Sequence, residues 1–277
     1  MSAKPLTNLD QLCIMSVTTK QWDIHTAIDK YAAAGVKGIT LWRNNFEKTS
    51  PAEVKKHIAD AGLKTVSLCR GGFFPALDAA KRQAAIDDNK RAVDEAAGVG
   101  APIIVLVCGA VPGLPLTEAR KHVLDGMNAV LPYAAQAGVK LSIEPLHPMY
   151  AADRSCVSDL KTANDLCQAT GAKNVGVALD VFHVWWDPML PQEIVRCAKN
   201  GWLDAFHICD WKPDMNDMLN DRGLMGEGCI DIRALRAQVE AVGFHGFHEV
   251  EVFSTVHWAR DPDEYLADIV KAYRAHS

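Results

Sequence analysis

Short β-rich apolar runs return along this chain at near-regular intervals, separated by longer helix-like stretches, and this alternation constrains the fold more than any other feature. The runs are QLCIMSV, GITLW, TVSLC, IIVLV, KLSIEPL, VGVALDV, LDAFHIC and FHEVEVF. Between two of them, Lys81 to Ala97 carries Ala84, Ala85, Ala92, Val93 and Ala96 at helical spacing with charges in between. Another stretch, Thr117 to Ala137, opens on Thr117 and Glu118 and closes at Gly138, so it has a helix start signal and a stop signal. The far ends of the runs fall near Ser16, Trp42, Cys69, Cys108, Glu144, Asp180, His207 and Glu251, in steps of 26 to 44 residues. Strict βα alternation implies a parallel sheet with helices outside it, and eight units in 277 residues fit a closed (β/α)8 TIM barrel. An open doubly wound sheet would carry a glycine-rich first turn for a dinucleotide, whereas the first run of this chain continues as SVTTKQW. No linker, low-complexity stretch or charge run divides the chain, so one α/β domain over residues 1–277 is expected.

Several function classes are excluded at this level. A net charge of −5 gives no positive field to attract phosphate backbones or anionic lipid, so neither nucleic acid nor a membrane is expected as partner. The longest nearly unbroken apolar run, Ala101 to Val111, is too short to span a bilayer, and MSAKPLTNLDQL has no apolar segment of the kind an export signal needs. The eight cysteines are dispersed without a CxxC pair, which reads as reduced thiols in a cytoplasmic protein. Cys13, Cys69, Cys108 and Cys209 lie in strand-like runs and are expected to pack.

In such a barrel the chemistry sits at the C-terminal ends of the strands, so ionisable residues ending apolar runs are the informative ones. Glu144 in LSIEPLHP, Asp180 in GVALDVFH, His207 in DAFHICDW and Glu251 in HEVEVF come from units five to eight. Four such groups left as isolated buried charges would be costly, and a shared divalent ion is the economical account of them. Three carboxylates and an imidazole suit Mn²⁺, Mg²⁺, Co²⁺ or Zn²⁺, and the lack of thiolates argues against a structural zinc. Glu249 shares a strand face with Glu251 at period two, so spacing leaves both open as the eighth-strand ligand. His147 and His183, each three residues after a carboxylate, are placed to hold a substrate hydroxyl or move a proton. His25, His57, His122, His245, His248, His257 and His276 read as surface or structural. Trp185 with Trp186, and Trp211, are candidates to wall a pocket for a sugar ring or an aromatic aglycone. Arg70, followed by Gly71 and Gly72, and Lys212 are candidates for an anionic substituent, although neither belongs to a phosphate loop.

Taken in order, IEPLHP, LDVFHVWWDP, FHICDW with RGLMGEGCIDI, and GFHEVEVFS resemble the xylose-isomerase-like TIM-barrel superfamily, over nearly the whole chain. That group includes sugar phosphate isomerases and epimerases, ketose 3-epimerases, inosose isomerases and dehydratases, and the AP endonucleases of family 2. The resemblance implies a metal held by Glu144, Asp180, His207 and Glu251, the last chosen because a short apolar-aromatic pair, Val252 and Phe253, follows it. It also matches His183 to the family's histidine three residues past the aspartate. The endonuclease branch carries extra histidines on its third and fourth units and a further Asp-x-His, where this chain reads CRGGF and VCGAV and has no such motif after His207. One metal ion, Mn²⁺ foremost, is therefore expected, and DNA repair is not. By analogy with the ketose 3-epimerases, Glu144 and Glu251 would take and return a proton at a carbon next to a carbonyl, through an enediolate. The arginine those enzymes carry shortly after the seventh-strand histidine has no clear match, the nearest cations being Lys212 and, farther on, Arg222. The expectation is an isomerase or epimerase of a small sugar or cyclitol, with a homo-oligomer left open. A metal-dependent lyase or dehydratase on the same site, similar to the relatives that act on an inosose or cleave a 3-keto C-glycoside and with His147 as an added catalytic base, stands second. A non-catalytic sugar-binding barrel stands third.

Overall fold

The computed structural model describes residues 3–277. Eight parallel strands follow one another in sequence order around a closed barrel: β1 (Leu12–Met15), β2 (Gly38–Trp42), β3 (Lys64–Gly72), β4 (Ile103–Val107), β5 (Lys140–Glu144), β6 (Val175–Asp180), β7 (Leu203–Ile208) and β8 (His248–Val250). The helices alternate with them as the sequence leads one to expect: α1 (Ile24–Ala33), α2 (Pro51–Asp60), α3 (Ala79–Val99), α4 (Leu116–Gln136), α5 (Leu160–Thr170), α6 (Val181–Val184), α7 (Leu190–Lys199), α8 (Ile232–Ala241), α9 (Thr255–Trp258) and α10 (Pro262–His276). Among the described residues, no helix is long and apolar enough to cross a membrane.

The chain divides into two compact units, residues 67–205 and residues 1–66 with 206–277. In the first, β3 to β6 pair in order, and β5 runs alongside β4 from Lys140 opposite Ile103 to Glu144 opposite Val107. All six residues of β6 are buried, as in a parallel strand covered on both sides. The α3 helix begins at Asp78, whose carboxylate accepts from the Ala80 and Lys81 amides, and stops at Gly100, whose φ of 78° is the left-handed turn that a residue without Cβ adopts cheaply. At the start of β5, Lys140 and Ser142 both bind the Asp204 carboxylate, so these polar groups satisfy one another and offer nothing to a ligand.

In the second unit β7, β8, β1 and β2 pair side by side, with His207 opposite Glu249 and Cys13 opposite both Glu249 and Gly38. Ser50 and Glu53 close a reciprocal capping box at the start of α2, with Pro51 at its first position. Thr18 stitches the loop after β1 to β8 by donating to the Val250 carbonyl at 3.0 Å and accepting from the Val252 amide at 3.1 Å.

Two local expectations are corrected. The α4 helix starts at Leu116 after Pro115 with no side-chain cap, so Thr117 and Glu118 lie inside its first turn, while Gly138 follows its end with φ 72°. The third strand does not stop at Cys69 but continues through Arg70, Gly71 and Gly72. Asn89 of α3 accepts from the Gly72 amide at 2.7 Å and donates to the Gly72 carbonyl at 2.8 Å, so this glycine's backbone groups are already bound. Two histidines read as surface or structural, His248 and His257, are buried. Among the described residues no cysteine is in a disulfide, and Cys13, Cys69, Cys108 and Cys209 are buried among core residues.

Candidate metal centre

Glu144 is the last residue of β5, Asp180 the last of β6, His207 the penultimate of β7, and Glu251 the first residue past β8. All four are buried, Asp180 and His207 completely. Each offers one ligand atom, and these atoms lie within 4.8 Å of one another. The donor set, three carboxylate oxygens and one imidazole nitrogen, matches a divalent ion of intermediate hardness. The eighth-strand choice left open by spacing also becomes concrete. It is Glu251 that joins the cluster, whereas the Glu249 carboxylate lies one pleat deeper, accepting from Thr40 Oγ1, with its other oxygen 3.8 Å from His207 Nε2.

Around Asp180, one oxygen accepts from the Phe182 amide at 2.8 Å, fixing the start of α6, and the other lies 3.6 Å from His183 Nε2. His183 Nδ1 accepts from the His147 amide at 3.1 Å, which places the ring's proton on Nε2, facing the aspartate. His147 in turn accepts through Nδ1 from the Met149 amide at 3.2 Å, so its neutral ring also carries the proton on Nε2. Burial holds its pKa below the ordinary histidine value. Trp186 donates to the His183 carbonyl at 2.8 Å and meets the His147 ring edge-on at 5.8 Å. Trp185 lies half-buried next to it at the end of α6.

Beside Glu251, Arg222 places Nη1 2.9 Å from Oε2. By spacing alone Arg222 lies too far past His207 to count as its neighbour, and the reason it arrives is the loop after β7. Asp210 accepts four backbone amides, from Trp211, Gly226, Gly228 and Ile230, at 2.8 to 3.0 Å. Burial raises the Asp210 pKa while those four donors pull it down. The loop is drawn so close that a Cβ on Gly228 would stand 2.2 Å from the Trp211 carbonyl oxygen. Backbone bonds between Asp210 and Gly223, and from the Arg222 amide to the Phe253 carbonyl at 2.8 Å, then lay Arg222 alongside Glu251. The signal available in the sequence is the aspartate two residues past the strand, with GLMGEG farther along the same loop at 223–228.

The remaining candidates are placed as follows. Lys212 is paired with Asp221 at 2.6 Å, so its charge already has a counter-ion. Arg70 lies in β3 with its guanidinium over Phe73, 4.3 Å from the ring centroid. Trp211 is half-buried, and its carbonyl accepts from the Cys229 amide at 3.1 Å. A cavity of about 560 Å³ opens at the ends of β1 and β2, lined by Ser16, Trp22, Trp42 and Asn45 among others. The Trp42 ring meets Phe253 edge-on at 5.4 Å, and Phe253 underlies the Arg222 guanidinium at 5.1 Å.

The sequence matches the xylose isomerase-like TIM barrel family over residues 28–276. The chain belongs to this family. Comparison with curated proteins returned no significant match. Among solved structures, protein SMc04130 from Sinorhizobium meliloti 1021 is 47% identical, with a TM-score of 0.93 and coverage of 98% of this chain and 100% of that one. The IOLI protein, solved with a binding zinc atom, superposes with a TM-score of 0.82 at 20% identity, over 95% of this chain and 96% of the other. A D-psicose 3-epimerase in the presence of D-fructose gives 0.73 at 17% identity, over 95% and 96%. At these last two identities the likeness is one of fold.

Proposed function

We propose that this family member is a divalent-metal-dependent isomerase or epimerase of a small sugar or cyclitol, working through an enediolate. The observation that carries this reading is that two glutamates, Glu144 and Glu251, belong to one buried cluster with Asp180 and His207. Mn²⁺ is the foremost candidate ion for these four residues. When bound, it would supply Lewis acidity toward the substrate's oxygens and offset the negative charge that develops on them. Glu144 takes the proton from the carbon next to the carbonyl, and Glu251 returns one to the other face. Arg222 holds Glu251 by one oxygen and fixes the orientation of its carboxyl group beside the cluster. The Phe182 amide fixes the orientation of the Asp180 carboxylate, and His183 Nε2 faces its other oxygen at 3.6 Å. His147, with its proton on Nε2, is arranged to donate to a substrate oxygen. That arrangement supports isomerisation over the lyase course, in which His147 would have to accept a proton. Its likeness in fold to a ketose 3-epimerase is consistent with this choice.

The test is incubation with a panel of ketoses and inososes in D₂O with Mn²⁺, followed by NMR. Deuterium is expected at a carbon next to the carbonyl of at least one compound. Elimination products without exchange would replace this reading with a lyase, and no change in any compound would remove it.

A further inference from the structure

The cavity of about 560 Å³ at the ends of β1 and β2 is not part of the cluster, yet it opens at the same end of the barrel. Its wall is drawn from residues 16–49, so Glu144, Asp180, His207 and Glu251 stand outside it. Ser16 follows β1 and Trp42 ends β2, while β1 pairs with β8, beyond which Glu251 is the first residue. Ring contacts and an ion pair then run from Trp42 to Phe253, from Phe253 to Arg222, and from Arg222 to Glu251. A cavity of this volume lies within the range that takes a whole small-molecule ligand. It therefore has room for a ring beyond the one whose carbon reacts.

The polar groups on this wall are already oriented. The Trp42 amide donates to Asn45 Oδ1 at 2.9 Å, and the Ser16 hydroxyl donates to the same oxygen at 2.6 Å. Two donors on one oxygen fix which way the side-chain amide is turned. Ser16 Oγ also accepts from the Trp42 amide at 3.1 Å, so this hydroxyl is committed to the protein. Asn45 Nδ2, by contrast, has no hydrogen-bond partner among the described residues, and Asn45 is half-buried on the cavity wall. Trp22 and Trp42, also half-buried, add two indole rings. Such rings cover the apolar faces of a sugar while a few fixed polar groups take its hydroxyls. The charges nearby do not make an anion site. Lys20 lies over the Trp258 ring, 3.4 Å from its centroid, Lys48 adjoins Glu47, and Asp23 spends its carboxylate on the His25 and Thr26 amides at the start of α1.

We propose that this cavity is a subsite for a second, neutral ring of the substrate, so that the sugar or cyclitol at the cluster carries a glycosyl substituent. The proposal rests on the function given above for where the reacting ring lies. Trp22 and Trp42 flank the second ring, and Asn45 Nδ2 donates to one of its oxygens.

Saturation-transfer NMR titrations of Mg²⁺-loaded protein test this by comparing D-fructose with the glucosyl-fructoses maltulose, leucrose and isomaltulose, and myo-inositol with galactinol. At least one glycosylated compound is expected to bind about 10-fold or more tightly than its parent. Asn45→Asp keeps the oxygen that Ser16 and Trp42 need but replaces the donor by an acceptor, and it is expected to bring that ratio down about 10-fold. Trp22→Ala is expected to lower the ratio as well, and Trp22→Phe, which keeps an aromatic face, to retain most of it; each variant is checked for a cooperative melt. No glycosylated compound binding more tightly than its parent, a ratio unchanged in Asn45→Asp and Trp22→Ala, or D-fructose 6-phosphate binding more tightly than every glucosyl-fructose would overturn the proposal. Binding is read here without turnover. A preference for the glycosylated compound with no deuterium exchange in any compound would therefore keep the subsite and remove the isomerase reading, whereas exchange on free monosaccharides with no such preference would remove the subsite alone.

Discussion

Arg222 and Glu251 meet inside the protein at 2.9 Å, with side chains only 4% and 5% exposed, although 29 residues separate them in sequence. Removing one partner of such a pair leaves a buried charge, a loss on the order of 3–5 kcal/mol. Arg222→Met is therefore expected to lower stability strongly in chelator-treated protein. Mn²⁺ should restore much of it if Glu251 belongs to a metal site, because the ion then replaces the missing cation. Urea unfolding with and without Mn²⁺ measures the difference. A loss of the same size in both conditions would mean that Glu251 and the ion do not meet.

For the cluster itself, Mn²⁺-loaded protein is expected to hold about one ion per chain, and Asp180→Ala or His207→Ala should lose it while keeping a cooperative melt. Elemental analysis after gel filtration reads this directly. Mn²⁺ is the right probe because it favours oxygen-rich donor sets such as this one. A wild type that retains no Mn²⁺ would remove the site.

A pH effect follows from His248, which is buried beside Phe206 and Tyr273 and has its pKa pushed down to about 4 by burial and, secondarily, by Arg236. Between about 6.5 and about 4 the unfolded chain binds a proton there that the native state refuses. Stability contributed by the neutral ring is thus present above that window and is lost as pH falls through it, by up to about 3 kcal/mol. His248→Gln should flatten that part of the profile. Urea midpoints at pH 7 and pH 4.5 for both proteins give the comparison, and identical pH slopes would show that the ring is not the cause.

How far the sequence discloses this protein depends on the reach of each interaction. The run IIVLV maps directly onto β4 because a strand covered on both sides is continuously apolar, and that property is local. Glu144, Asp180 and His207 are legible for the opposite reason, as polar residues ending such runs. The true end of β3 is not legible. Gly72 is bound by Asn89, seventeen residues away on a helix, and no window along the strand contains that partner. Arg222 escapes in the same way, since its position depends on how Asp210 gathers four amides of the intervening loop. Likewise the hydrogen-bonded contact of His25 with His57 arises from the packing of two helices, and each histidine alone reads as surface or structural.

The last prediction separates ligation from chemistry on the eighth strand. Glu144→Gln and Glu251→Gln each keep an oxygen that can ligate but lose a base, so bound Mn²⁺ should fall modestly while turnover falls by roughly 10²-fold or more. Glu249 shares the strand face of Glu251, yet its carboxylate is held by Thr40 and lies by His207, one layer below the cluster. Glu249→Gln should therefore reduce turnover far less, and His147→Ala should fall between the two groups, because the imidazole orients a substrate oxygen without moving the carbon's proton. Steady-state turnover and Mn²⁺ content measured on the same four preparations distinguish these effects. If Glu249→Gln abolished turnover while Glu251→Gln stayed near wild type, the proton would be moving one strand period deeper in the barrel than the ligand cluster lies, and Glu249 rather than Glu251 would be the group that returns it.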